Sequence, residues 1–336
     1  MTLTELLDDG AGFDAEYAGS LSNHRPMALL ALARLGATDA RLTAFAQAYS
    51  KRLQPAPPPA RWPAGDAWAS RLGQGDAWPA YRDLFLHWLL TEDAGAVLRQ
   101  VLPRLMQGCG AAAFHGLIRT AYALQSGLGQ ELADALAYWA CSWVELGPLQ
   151  AAGAVDDAEA VLRQLRTLHS AANLISQRMV AAAAIPQFQA TVARLRVGDS
   201  TLPQLAALAA KAHAATGNFT ALHLVTSAHA VRLLMPFLDE PVLALQAYWC
   251  AFAAAVCAAG LQARALPLPQ PWPLLVAAAL QSDDDHLIKL VDSCREEHRA
   301  YDADGADGDL GLPCGASIWQ QAATRAVIDA GLSRVA

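Results

Sequence analysis

Nearly every apolar segment of this 336-residue chain repeats with helical spacing, and no alternating run is long enough to argue for a sheet. Residues 27–36 read as a helix closed by Gly36, and residues 131–139 carry the same period. Alanine is abundant and β-branched residues are scarce, which again favours helix. The expectation is all-α: one large domain over residues 1–336, built of packed helical hairpins around a central cavity. Two stretches break the pattern. Residues 54–64 are proline-rich and lead into Trp62, Trp68, Gly73, Gly75 and Trp78, an ordered loop by composition. Residues 302–313 are rich in Asp and Gly and read as an exposed loop.

Composition excludes several functions. Hydrophobic residues make up 54% of the chain, charged residues 16%, and the net charge is −7. Arg163, Arg166, Arg194 and Arg196 are too sparse for a nucleic-acid surface. The N-terminus lacks the basic and apolar regions of a signal peptide. The best candidate for a membrane span, residues 242–259, is interrupted by Gln246 and is mostly alanine; it fits a buried bundle helix better. Six cysteines form no CxxC pair, so reduced thiols and a cytoplasmic protein with no membrane or nucleic-acid partner are expected. The motifs HExxH, GxGxxG and GxSxG are absent, which speaks against zincins, Rossmann enzymes and α/β-hydrolases.

The basic residues are skewed. Three lysines stand against 21 arginines, and one, Lys289, lies three residues after His286. On a helix the two share a face. Lysine, unlike arginine, loses its proton when buried; a neutral amine can bind a metal or take up carbon dioxide. The competing reading is a helix start after an acidic cap with a solvated lysine. Of the nine histidines, His24 precedes a proline-started helix beside Asn23, and His115 sits in an apolar run. His223 lies between Leu222 and Leu224, with His229 about 120° away around the same helix, so one of these two rather than both would face an ion. His87 and His169 fit core or surface; His213 and His298 read as solvated. A weak internal repeat also appears. His115 precedes Tyr138-Trp139 and His223 precedes Tyr248-Trp249, with histidine-to-tryptophan separations of 24 and 26 residues. Two such hairpins packed face to face would bring the two histidines together, as in bundle metal sites.

The segment from Leu21 through His24 to Ala28, the run from Ala113 through His115 to Arg119, and Ala135-Leu136-Ala137-Tyr138-Trp139 resemble the questin oxidase-like family. So do the run from Asn218 to His223 and Asp285-His286-Leu287-Ile288-Lys289. Their order covers most of the chain. The best understood members are fungal enzymes that open an anthraquinone ring oxidatively. The resemblance implies an all-helical protein with one non-haem Fe(II) held by His24, His115, His223, His286 and a lysine carbamate at Lys289. It implies an oxygenase whose partners are dioxygen and a small aromatic, polyketide-like substrate. Arg119, four residues after His115, would face the same cavity and hold a carboxylate or phenolate. Tyr122, Trp139 and Trp249, with Tyr138, Trp143 and Tyr248, are the candidate pocket walls. The rivals are a helical interaction scaffold without chemistry, which requires exposed His24 and Lys289, and a zinc-dependent hydrolase.

Overall fold

The computed structural model describes residues 1–147, 153–165, 172–301 and 317–332. Arg166, His169, Cys314 and the loop expected over 302–313 lie outside these. The described residues form sixteen α-helices, several short 3-10 turns and a two-stranded antiparallel ribbon. The ribbon, Glu16–Tyr17 with Leu21–Ser22, is too short to show as an alternating pattern.

Four helices frame the centre of the molecule. Arg25–Leu35 starts with Pro26, whose missing N–H costs nothing in a first turn, and stops at Gly36 in the left-handed conformation. His115–Ser126 and Phe219–Leu234 are buried along most of their length, so their apolar residues face neighbours on all sides. Asp285–Tyr301 is amphipathic, with its buried side running Asp285, Lys289, Ser293, Glu297 at intervals of four. The Arg25 helix packs on the His115 helix, which packs on the Phe219 helix, which packs on the Asp285 helix. The Asp285 helix returns to the Arg25 helix and closes the ring.

The two hairpins of the repeat form as expected. Gly129–Ser142 packs on the His115 helix and Pro241–Ala259 on the Phe219 helix. Their tyrosines do equivalent jobs: Tyr138 OH meets Ser22 Oγ at 2.6 Å and Tyr248 OH meets Ser227 Oγ at 3.0 Å. Pro241–Ala259 is long and apolar enough to cross a membrane, yet most of it is buried inside the protein. Trp62 packs at a tilt against Tyr81, ring centres 4.7 Å apart, and anchors the proline-rich stretch. The five described cysteines are free and buried.

Gly116 sets the spacing of the first hairpin. A Cβ there would meet Trp139 Cα and Cβ at 2.7 Å, so the two helices cross in direct backbone contact. Gly116→Ala must push the helices apart and should cost about 1–3 kcal/mol in urea unfolding. Gly198→Ala, with nothing within 4 Å of the added methyl, should change stability by less than about 0.5 kcal/mol. Equal stability of the two variants would contradict the packing.

Candidate metal centre

All four central helices begin at one place. His24 caps the first, His115 opens the second, His223 is the fifth residue of the third and His286 the second residue of the fourth. Their imidazoles form a closed ring. Ring centres are 4.7 Å apart for His286 and His24, 4.6 Å for His24 and His115, 4.9 Å for His115 and His223, and 5.7 Å for His223 and His286. Lys289 is 2% exposed, and its Nζ lies 3.8 Å from Asp285 Oδ2. The sequence segments implied as ligands are thus brought to one location from both ends of the chain.

The tautomers follow from the acceptors. His223 Nδ1 donates to the Phe219 carbonyl at 2.8 Å, and His115 Nδ1 donates to the Ala112 carbonyl. A carbonyl only accepts, so each Nδ1 carries the proton and each Nε2 keeps its lone pair. His24 Nδ1 donates in the same way to the Asp285 carboxylate. The Nε2 atoms of His24, His115 and His223 are buried and have no hydrogen-bond partner in the protein. Such atoms cost about 1–3 kcal/mol each when left unpaired. Neutral imidazoles fixed through one nitrogen, with the other bare, are the form in which histidine ligates a transition metal. His213 and His229 Nε2 are orphaned too, but each sits apart from this ring.

Burial keeps the imidazoles of His24, His115 and His223 neutral. It pulls His24 down to about 3, with the Lys289 amine adding to the shift. His115 and His223 are lowered well below the usual histidine range, again chiefly by burial. Burial also brings Lys289 down to about 8 against the pull of Asp285. Asp285 is the opposite case. Burial pushes it up, but the His24 and His286 imidazoles and the Lys289 amine outweigh this and hold it ionised. At neutral pH the pair is therefore a neutral His24 donating to an ionised Asp285.

Asp285 is the residue the sequence reading passed over as an acidic cap. Its Oδ2 takes the His24 Nδ1 hydrogen bond, lies 3.2 Å from His286 Nδ1 and faces Lys289 Nζ. His24, Asp285 and His286 have potential donor atoms within 4.8 Å of one another. We read Asp285 as the carboxylate that orients these imidazoles rather than as a ligand, because it addresses their Nδ1 atoms. Its spacing of four from Lys289 was the available signal.

A strained turn delivers His115. Ala112, Ala113 and Phe114 have φ of 46°, 55° and 70°, a run of left-handed residues with no glycine. Each costs about 1–2 kcal/mol relative to the right-handed form. The turn presents the Ala112 carbonyl to His115 Nδ1 and starts the helix at the ring.

The ring forms the floor of a cavity of about 670 Å³. Its walls come from the ribbon, the strained turn, Phe219 and the Ile175–Ala183 helix. The expected walls lie elsewhere. Arg119 is fully buried against Glu131, with contacts of 2.8 and 2.9 Å, and that carboxylate spends its charge. Tyr122 OH donates to Asp292 at 2.9 Å beneath the Arg34 guanidinium. Trp139 Nε1 donates to the Gly108 carbonyl and Trp249 Nε1 to the Val192 carbonyl. None of the four is among the described lining residues, nor are Tyr138, Trp143 and Tyr248. Helical spacing placed Arg119 one turn from His115, but its guanidinium is held by Glu131 on the neighbouring helix Gly129–Ser142. His213, expected to be solvated, is buried, whereas His87 is exposed. His229 pairs with Glu297 at 2.6 Å, and that carboxylate is shared with Arg232, outside the ring.

A ring of three buried histidines and the half-buried His286, at the start of four packed helices, defines a helical protein built around a polar centre. The model of the questin oxidase-like family matches residues 21–191 and 199–294, most of the chain, and the protein belongs to that family. The family description names an oxidase. No curated protein matches the chain.

The buried imidazoles predict an acid-labile fold in chelator-treated protein. The folded pKa of His24, about 3, lies below its unfolded value of 6.5, so the unfolded state takes up more protons between them. Stability is fully present above about pH 6.5 and falls as pH drops toward 3. For His24 alone the loss between pH 7 and pH 5 is about 2 kcal/mol. Urea unfolding at the two pH values checks this, and equal stability would contradict it.

Proposed function

We propose that the protein is a non-haem iron oxygenase acting on an aromatic, polyketide-like substrate, with oxidative ring opening as the transformation. The observation that supports it best is the closed ring of four imidazoles, three of them with bare, buried Nε2 atoms, together with a buried lysine. His24, His115, His223 and His286 would hold Fe(II), and Lys289, as a carbamate, would supply the anionic oxygen. The scaffold reading required exposed His24 and Lys289, and these are 5% and 2% exposed.

Charge balance favours the carbamate. Without metal, a protonated Lys289 offsets Asp285. With a divalent ion, two anions are needed for neutrality in a buried site. Asp285 is one, and a carbamate on Lys289 is the other. The lowered pKa of Lys289 provides the uncharged amine that carbamate formation requires.

Iron, when bound, would supply the dioxygen-dependent redox chemistry. The chain's own groups would do the rest. Asp285 holds the His24 and His286 rings in orientation. Phe219, with its ring 4.7 Å from His223 and 4.6 Å from His286, covers the floor against water. Glu16 borders the cavity, and burial raises its pKa, so its carboxyl can hold a proton near the substrate. Tyr138 OH donates to Glu16 at 3.1 Å and fixes that carboxyl.

Lys289→Arg keeps the charge but can neither shed a proton nor form a carbamate, and it should abolish iron loading. Lys51→Arg and Lys211→Arg, both at exposed positions, should load as wild type does. Added bicarbonate should raise occupancy in wild type and not in Lys289→Arg. Iron analysis of anaerobically reconstituted protein reads all four results. Full loading of Lys289→Arg would rule out the carbamate.

A further inference from the structure

The role expected of Arg119 is vacant, because Glu131 neutralises that side chain. The cavity nevertheless contains a cation. Arg178, on the Ile175–Ala183 helix, is the one arginine among the described lining residues, and no lysine lines it. Arg178 makes no ion pair with any described residue, and its Nε is buried without a hydrogen-bond partner. An arginine whose fork is partly desolvated and unpaired is costly by itself, and the cost is recovered when an anion fills it. The surroundings are biased the same way. Three helices begin at the cavity floor with His24, His115 and His286, turning their positive ends toward it. The single lining carboxyl, Glu16, is occupied by Tyr138 rather than by Arg178. Leu21, Val144, Leu174, Ile175 and Val180 supply apolar wall.

We propose that Arg178 is the anion anchor of this cavity, pairing with an ionised oxygen substituent, carboxylate or phenolate, on an aromatic substrate. The proposal rests on reading the cavity as the substrate site, and it narrows the substrate class to anionic aromatics. A planar ring lies against the apolar wall, its charged oxygen on the guanidinium. Lysine would keep the charge and lose the fork.

The test is calorimetric binding of three probes, 2-naphthoate, 2-naphthamide and 2-naphthol, to the full chain. It is run on protein as purified and again after chelator treatment, where selectivity cannot come from a metal. At pH 7 wild type should bind naphthoate about tenfold or more tighter than naphthamide in both preparations. Arg178→Gln should erase that ratio to within about twofold, and Arg178→Lys should retain part of it. Arg163→Gln, at an exposed arginine paired with Glu159, should bind as wild type does. If phenolate is the natural group, naphthol should gain affinity as the pH approaches about 10, in wild type but not in Arg178→Gln. Equal binding of naphthoate and naphthamide, unchanged selectivity in Arg178→Gln, or binding of none of the probes would overturn the proposal. Iron content measured on the same samples separates the two claims. Full iron with no anion selectivity removes the anchor alone. Selectivity in a chain that never loads iron leaves the anchor and removes the oxygenase reading.

Discussion

One carboxylate oxygen, Asp285 Oδ2, connects the centre of this protein. It accepts from His24 Nδ1, lies 3.2 Å from His286 Nδ1 and 3.8 Å from Lys289 Nζ. Two helices from opposite ends of the chain, Arg25–Leu35 and Asp285–Tyr301, meet through it. A lone buried carboxylate would be strongly destabilising, and so would a lone buried amine. Each makes the other tolerable, and together they set the tautomer of His24. The bare Nε2 of His24 traces back to this arrangement, and Asp285 keeps the pKa of the buried Lys289 amine from falling further than burial alone would take it.

The other half of the ring is held by backbone. His115 and His223 each donate Nδ1 to a main-chain carbonyl three or four residues earlier. For His223 an ordinary helix suffices. For His115 the chain bends through three left-handed non-glycine residues, and packing must compensate the strain. Phe114 is fully buried and Gly116 is pressed on Trp139, so the strained turn is clamped on both sides. Backbone strain of this kind collects where a side chain must be aimed. Here it aims the one histidine that stacks on His24 and also meets His223.

How much of this could be read from sequence differs by residue. The helices were legible because alanine-rich periodicity and the Gly36 cap act locally. Lys289 stood out because arginine serves almost everywhere else in the chain. The choice between His223 and His229 was not legible from spacing. Both are buried on one helix, and the carboxylate that claims His229, Glu297, comes from a helix 68 residues away in sequence. Arg119 was misplaced for the same reason: nothing local announces that Glu131 neutralises it. Glu16 and Arg178 border the cavity from segments far apart, and only the folded chain joins them. The left-handed turn at Ala112–Phe114 was invisible, since alanine and phenylalanine carry none of glycine's signal for that conformation.

The central claim is that the histidine ring is an iron site. X-ray absorption of the anaerobically Fe(II)-loaded protein tests it most directly, because imidazole ligands leave a characteristic outer-shell scattering pattern. The account predicts one iron per chain with the pattern of four imidazoles, reduced by one in His223→Gln and unchanged in His229→Gln. Iron bound with fewer than three imidazoles, or a wild-type pattern in His223→Gln, would contradict it.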